Sequence, residues 1–339
     1  MSGKTTIYDI AKQLNITAAT VSRALNDHPR ISQDTKELVL KTAKELNYEQ
    51  NKLALALKSG KTYLVGVVVP YINRNFFSNV IRGIEDELYP KGYRVIISQT
   101  HEEEEKEIET IKSLLNAQVD GILMSISKPT TVTEHFDMII KKNVPLVFFD
   151  RKKDIPGVST VTIDDFEGGY KATEHLIQQG CKKIAHVSVY LNIGIYKDRF
   201  EGYKKALLDN GLAFREEYII QTESQVKAGK KALDDLFKLN DKPDAIFTSS
   251  DHIALGVMQQ LKKKEVKVPD DFCVVGFSNE PFTKFMELPI SSVDQSPIEM
   301  GRMSAKVFLE QINSKKKVKI EKKVVLPPKL HIRKSSLKE

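Results

Sequence analysis

At 339 residues, 41% hydrophobic and 29% charged, the chain is too long for one typical domain and too apolar for disorder, and its 17 Gly and 13 Pro exclude collagen-like or low-complexity architecture. No stretch approaches the roughly 20 uncharged apolar residues of a membrane span, and the start, MSGKTTIYDIAKQ, has no apolar signal segment, so a cytoplasmic protein is expected. The net charge of +7 is uneven: residues 1–60 carry +3, Lys61 adds one, residues 62–314 carry −5, and residues 315–339 carry +8. Most of the excess is the cluster SKKKVKIEKK, which reads as a solvated helix end and loop rather than a binding patch, so net charge alone is poor evidence for a nucleic-acid partner.

Residues 1–60 read as short helices. Thr6 can cap a segment whose apolar positions Ile7, Ile10, Ala11 and Leu14 follow helical spacing, with Asp9 at the third helical position. After a break at Asn15–Ile16, Thr17 can cap a second helix with Val21, Ala24 and Leu25 inward. Asn26-Asp27-His28-Pro29 is a turn, and Ser32 can cap a third helix with Asp34 and Glu37 in its first turn and Leu38, Val39, Thr42, Ala43 and Leu46 inward. Three short helices with a tight joint between the first two predict a helix-turn-helix unit.

From residue 62 the period changes. Apolar runs such as YLVGVVVP, YRVIISQT, DGILMSI and PLVFFD alternate with amphipathic stretches such as FFSNVIRGIEDELYPKG and EKEIETIKSLLNAQ. The alternation resumes at STVTID and continues through KKIAHVSV, EYIIQT, DAIFTSS and DFCVVGFS. Strands alternating with helices predict parallel sheets covered on both faces, here two α/β subdomains joined near Ser159–Asp164. A helix over 296–313 and the stretch VVLPPKLHIRKSS add further elements, and re-entry into the first sheet near residue 290 would leave a cleft served by several crossovers. Ligands of open α/β sheets sit beyond the strand C-terminal ends, so that cleft is the expected binding site.

Motifs for other chemistries fail on inspection. The strings SGKT at 2–5 and 59–62 lack the upstream glycine of a phosphate loop; the second has Leu55 in that place. His101 begins HEEEE, but a zinc helix needs His where Glu105 stands, and the run Glu102–Glu109 reads as a solvated helix start. The seven histidines have no ligand spacing, and no nucleophile elbow or dinucleotide turn occurs, so neither a metal nor a cofactor is expected and an enzyme has no anchor. Cys181 and Cys273 read as buried, reduced thiols.

The segment from Thr6 to Thr62 resembles the DNA-binding module of the LacI/GalR regulators: I-Y-D-I-A before the turn, T-V-S-R-A-L-N in the second helix, I-S-x-x-T opening the third, and L-N-Y-x-x-N before a hinge. The remainder is similar to the family's effector core, itself like periplasmic sugar-binding proteins. The resemblance implies an all-α helix-turn-helix module over 1–50 and a hinge over 51–61. It then implies two doubly wound parallel-sheet subdomains, 62–161 with 293–322 and 162–292 with 323–339. The second helix would lie in the major groove with Thr17, Ala18, Ala19, Thr20, Ser22 and Arg23 outward. Arg23 alone there can fork onto guanine O6 and N7; Ala18 and Ala19 can offer only methyl contact, where other members carry larger polar residues. Thr6, Thr17, Ser22, Asn26, Arg30, Ser32 and Tyr48 are placed to bond phosphates, or else serve as caps and solvated surface. Asn51 opens the hinge, and Leu57 matches the family's minor-groove wedge, the alternative being a linker leucine on its dimer mate.

For the cleft, the resemblance implies effector contacts from Phe76, Phe77, Asp150, Arg151, Arg199, Asp251, Gln295 and Ser278, the last standing where many members carry Asp and followed by Asn279. Plain core packing for the Phe pair and an internal ion pair for Asp150–Arg151 are the alternatives. The expected protein is a homodimeric transcription regulator, a repressor of carbohydrate-utilisation genes, binding a pseudo-palindromic operator and a sugar or sugar phosphate. An activator or ligand-requiring regulator, a sugar receptor without DNA function and an α/β enzyme are the rivals.

Overall fold

The computed structural model describes residues 5–49, 60–313 and 321–338. It divides into two compact units, residues 1–62 and residues 63–339.

The first unit holds α1 (Ile7–Leu14), α2 (Ala18–Leu25) and α3 (Gln33–Glu45). Asp9 accepts from the Thr6 backbone N–H at 2.8 Å and from its hydroxyl at 2.7 Å. Thr17 accepts from the Thr20 N–H at 3.1 Å, and Ser32 from the Thr35 N–H at 3.4 Å. Asn15 ends α1 with φ at +50°, a left-handed turn that asparagine tolerates. Ile10, Ala11, Val21, Ala24, Val39 and Ala43 form the core. Leu38, expected inward, is 51% exposed. The buried stripe of α3 centres on Val39, Thr42 and Ala43, and three short helices enclose too little volume to cover the next position round the helix.

The second unit contains two six-stranded sheets. Strands β1 (Leu64–Val69), β2 (Arg94–Gln99), β3 (Gly121–Met124), β4 (Leu146–Phe149), β5 (Ser159–Ile163) and β11 (Lys323–Leu326) form the first, in the order β2-β1-β3-β4-β5-β11. Strands β6 (Ile184–Ser188), β7 (Ile219–Gln221), β8 (Ala245–Thr248), β9 (Cys273–Phe277), β10 (Ser291–Asp294) and β12 (Lys329–His331) form the second, in the order β7-β6-β8-β9-β10-β12. Among the described residues all pairings are parallel except β10 with β12. Helices α4 (Asn75–Leu88), α5 (Glu104–Asn116), α6 (Glu134–Lys141), α7 (Asp165–Gln178), α8 (Gly194–Asp209), α9 (Val226–Leu236), α10 (Asp251–Lys263), the short α11 (Phe282–Phe285) and α12 (Pro297–Asn313) complete the unit. β1, β3 and β4, covered on both faces, are almost wholly buried apolar runs.

Among the described residues the chain crosses between the sheets three times, at Ile163–Asp165, Asp294–Pro297 and Leu326–Lys329. These positions revise the boundaries expected at 161/162, 292/293 and 322/323. β10 pairs with β9, so no strand re-enters the first sheet near residue 290; α12 makes that return by packing on α4. β11, expected in the second subdomain, pairs with β5 from Lys323 opposite Thr160 to Leu326 opposite Ile163. Pro327 and Pro328, which cannot donate to a ladder, separate it from β12.

Helix pairs in this unit meet at backbone distance. A Cβ on Gly202 of α8 would lie 2.0 Å from the Phe166 carbonyl oxygen of α7, and one on Gly169 would lie 2.1 Å from the Arg199 carbonyl oxygen. Gly83 with Gly301 joins α4 to α12, and Gly229 with Gly256 joins α9 to α10, in the same way.

Candidate functional site

In the helical unit the polar side chains of α2 and its flanks range from exposed to partly buried. Arg23 is exposed, and among the described residues its side chain makes no hydrogen bond or ion pair, which leaves its guanidinium fork open. Ala19 is exposed, whereas Ala18 is half-buried against the three-helix core. The Thr17 and Thr20 hydroxyls lie 2.9 Å apart, and the Asn26 amide donates to the Ser22 carbonyl at 2.6 Å, closing α2. Thr6, Thr17, Arg30 and Ser32 are exposed; Thr20, Ser22 and Tyr48 are partly buried, Tyr48 against the core. Asn51 and Leu57 lie outside the described residues.

In the second unit a cleft opens beyond the C-terminal ends of strands from both sheets, with about 680 Å³ of space including its mouth. The first subdomain supplies Tyr71, Arg74, Phe76 and Phe77 after β1, Glu102 after β2, Lys128 after β3, and Asp150 and Arg151 after β4. Opposite stand Tyr196 and Arg199 of α8, Ser224, Ser249, Ser250, His252, Ser278, Glu280 and Gln295. Seven of the eight expected effector residues therefore converge: Phe76, Phe77, Asp150, Arg151, Arg199, Ser278 and Gln295. Phe76 and Phe77, edge-to-face at 5.1 Å, also belong to the hydrophobic core, so packing and lining coexist.

Asp251 does not line the cleft. It is buried beneath it, accepting from the Ser292 hydroxyl and the Glu280 N–H, both at 2.7 Å, and burial pushes its pKa up to about 7. As the first residue of α10 its carboxylate turns toward β9 and β10, where a Cβ on Gly276 would collide with it at 2.1 Å. Asn279 is also spent elsewhere: its amide donates to Asp294 at 2.7 Å and accepts from Arg333 at 2.6 Å.

Two buried cations dominate the walls. Arg151 forks onto Glu102 at 2.9 and 3.1 Å and donates to the Ile126 carbonyl at 3.1 Å; its Nε lies 3.6 Å from Asp150. Burial works against the guanidinium's charge, but Glu102 and Asp150 hold its pKa above the ordinary value. Burial pushes Asp150 up, with Arg151 and Arg199 pulling it back. Arg199 donates through Nε to Asp165 at 2.7 Å and through Nη1 to the Ser249 carbonyl at 2.9 Å, stacked over Phe277 with its guanidinium carbon 3.6 Å from the ring centre. Its Nη2 and the amide of Gln295 have no hydrogen-bond partner among the described residues, and both groups belong to cleft-lining side chains. Fixed forks, free donors and flat apolar faces are what recognition of a polyhydroxylated molecule requires.

Glu102, Arg74, Lys128, Tyr196, His252 and Glu280 were not legible as site residues. Glu102 in particular belongs to the run expected to be solvated, yet it pairs with Arg151, and Glu107 of the same run is fully buried. Glu107 accepts from the Ser127 N–H at 2.6 Å and the Thr130 hydroxyl at 3.0 Å, and pairs with His135 at 2.9 Å. The available signal was Arg151 at the end of an apolar strand, a cation that burial obliges to find a carboxylate. The two cysteines are free and buried, and the Cys273 thiol donates to the Pro269 carbonyl at 3.4 Å. No described helix is long and apolar enough to cross a membrane.

Residues 62–331 match the family model for periplasmic binding proteins and the sugar-binding domain of the LacI family. Residues 6–51 match that for bacterial regulatory proteins of the lacI family. The chain is 32% identical over 333 residues to catabolite control protein A of Priestia megaterium, covering 98% of this chain and 99% of the relative. Among solved structures, a complex of the transcriptional regulator CelR with cellobiose is 26% identical with a TM-score of 0.74, covering 98% of this chain and all of that one. A LacI-family regulator from Enterococcus faecium with bound ribose is 28% identical with a TM-score of 0.71, covering 81% of this chain and all of that one. A helix-turn-helix module followed by a two-sheet core with a polar cleft, matched end to end by such relatives, makes this chain a transcription regulator of the LacI family.

Proposed function

We propose that the protein is a cytoplasmic, homodimeric, non-enzymatic repressor of carbohydrate-utilisation genes, whose hold on a pseudo-palindromic operator is set by a sugar-class effector in the cleft. In this reading Arg23 forks onto a guanine in each half-site, with Ala18 and Ala19 in methyl contact. Thr6, Thr17, Thr20, Ser22, Asn26, Arg30, Ser32 and Tyr48 fix register on phosphates and groove edges, Asn51 opens the hinge, and Leu57 wedges the minor groove. The effector lies against Phe76 and Phe77, with Asp150, Arg151, Arg199, Ser278 and Gln295 on its hydroxyls and Asp251 holding the floor. Closure of the subdomains spreads the paired hinges, and the effector shifts that equilibrium only by its differential affinity for the two states.

The observation that carries the reading is the unpartnered donor set, Arg199 Nη2 and the Gln295 amide, inside a cleft where Arg151 is locked onto Glu102 and Arg199 Nε onto Asp165. A random duplex pool selects the operator, and a sugar panel is then screened for release of the bound DNA. Release by one sugar, lost in Arg199→Ala, is the expected result. A sugar that tightens binding instead makes the protein a ligand-requiring regulator. Absence of any selected duplex overturns the reading, and turnover of a panel member would make the protein an enzyme.

A further inference from the structure

The cations of the cleft are unevenly paired with its acids, and Asp150 lies against Arg151, at 3.6 Å from its Nε. Arg151 is matched by the two oxygens of Glu102, and Arg199 by Asp165. Lys128 has only the same Glu102, at 3.8 Å, already forked by Arg151, and its ammonium makes no hydrogen bond to a described residue. Arg74 has no carboxylate within ion-pair distance among the described residues; its Nη1 meets the His252 ring Nε2 at 3.1 Å. Burial, followed by the Arg74 charge, holds His252 below its ordinary pKa, so the ring accepts this bond as a neutral partner. Burial lowers Lys128 as well, with Arg151 and Arg74 adding to the push against the pull of Glu102. Two cations facing one cavity, neither with a carboxylate of its own, constitute a seat for a negative group. Ser278 on the opposite wall brings no charge. Glu280 is the remaining acid on that wall; burial raises its pKa and Arg74 draws it back.

We infer that the effector bears an anionic group, phosphate or carboxylate, and that Arg74 and Lys128 select it. The inference rests on the cleft being the effector site.

The test uses the full chain at fixed ionic strength and matched pairs: glucose with glucose 6-phosphate, ribose with ribose 5-phosphate, glucose with gluconate, and galactose with galacturonate. Thermal shift and titration calorimetry read binding. The expected result is an acidic member binding at least ten-fold tighter than its neutral parent, the responding pair telling phosphate from carboxylate. Lys128→Gln and Arg74→Gln should each erase that preference, and Lys128→Arg should retain it. Equal binding within pairs, or tighter binding of the neutral sugar, overturns the inference; loss of that neutral binding in Arg199→Ala would then leave the cleft reading standing. A preference that survives both glutamine variants overturns the assignment to these residues. No binding by any member overturns the cleft reading and the inference with it.

Discussion

Arg23→Ala separates base reading from simple charge attraction. The side chain is exposed and unpartnered among the described residues, so its loss should leave the fold within about 0.5 kcal/mol of the parent. A forked contact to guanine is worth about 1–3 kcal/mol, or roughly 5- to 150-fold in affinity for each half-site. That loss should fall on one base pair per half-site: duplexes altered there should bind the variant and the parent alike, while changes elsewhere keep their effect. Fluorescence anisotropy on the selected operator and its single-base variants, at several salt concentrations, measures both quantities. A phosphate contact behaves differently, weakening all sequences equally and lowering the salt slope by about 1. Uniform weakening of that kind, with the base preferences of the parent intact, would refute the base-reading role.

Three further outcomes are expected. Gly202→Ala forces a methyl against the Phe166 carbonyl and should cost about 1–3 kcal/mol, seen as a lower Tm and weaker effector binding because α8 carries Arg199; Gly194→Ala, with open space around it, should be neutral or slightly stabilising, and equal Tm values would contradict the crossing. Burial drives the His186 pKa down to about 3, so the folded state keeps it neutral while the unfolded chain protonates near the ordinary 6.5; stability is lost as pH falls from that value toward 3, about 2 kcal/mol by pH 5, and urea midpoints of His186→Phe should show a flatter pH dependence than the parent's. Leu57→Ala should reduce operator bending, and equal bend angles by gel mobility would exclude the wedge.

Periodicity made most of the elements readable, because a strand such as LVGVVV and a helix such as α4 each repeat their own signal along the chain. Membership of a sheet is a different kind of information. VVLPPKLHI reads as one terminal stretch, and only the register of Lys323 against Thr160, far apart in sequence, puts its halves in different sheets. The site divides along the same line. Asp150, Arg151 and Arg199 sit in motifs, whereas Lys128 and His252 acquire meaning only when loops from separate strands meet. Asp251 was expected in the cleft, but a place just after a strand end does not say which way a side chain turns; its neighbour Ser250 lines the cleft and Asp251 supports the floor.

Gly83, Gly169, Gly202, Gly229, Gly256 and Gly301 let neighbouring helices touch main chain to main chain, and three of those helices, α4, α8 and α10, carry cleft side chains. Such pairs have no soft side-chain layer to absorb strain. On the proposed reading, a guest held by Arg199 and Phe77 would move these helices as stiff plates, with the rotation taken up at the short connectors around residues 164, 295–296 and 327–328. On that reading, stiffening or lengthening those connectors should change the response to the guest without altering a contact to it.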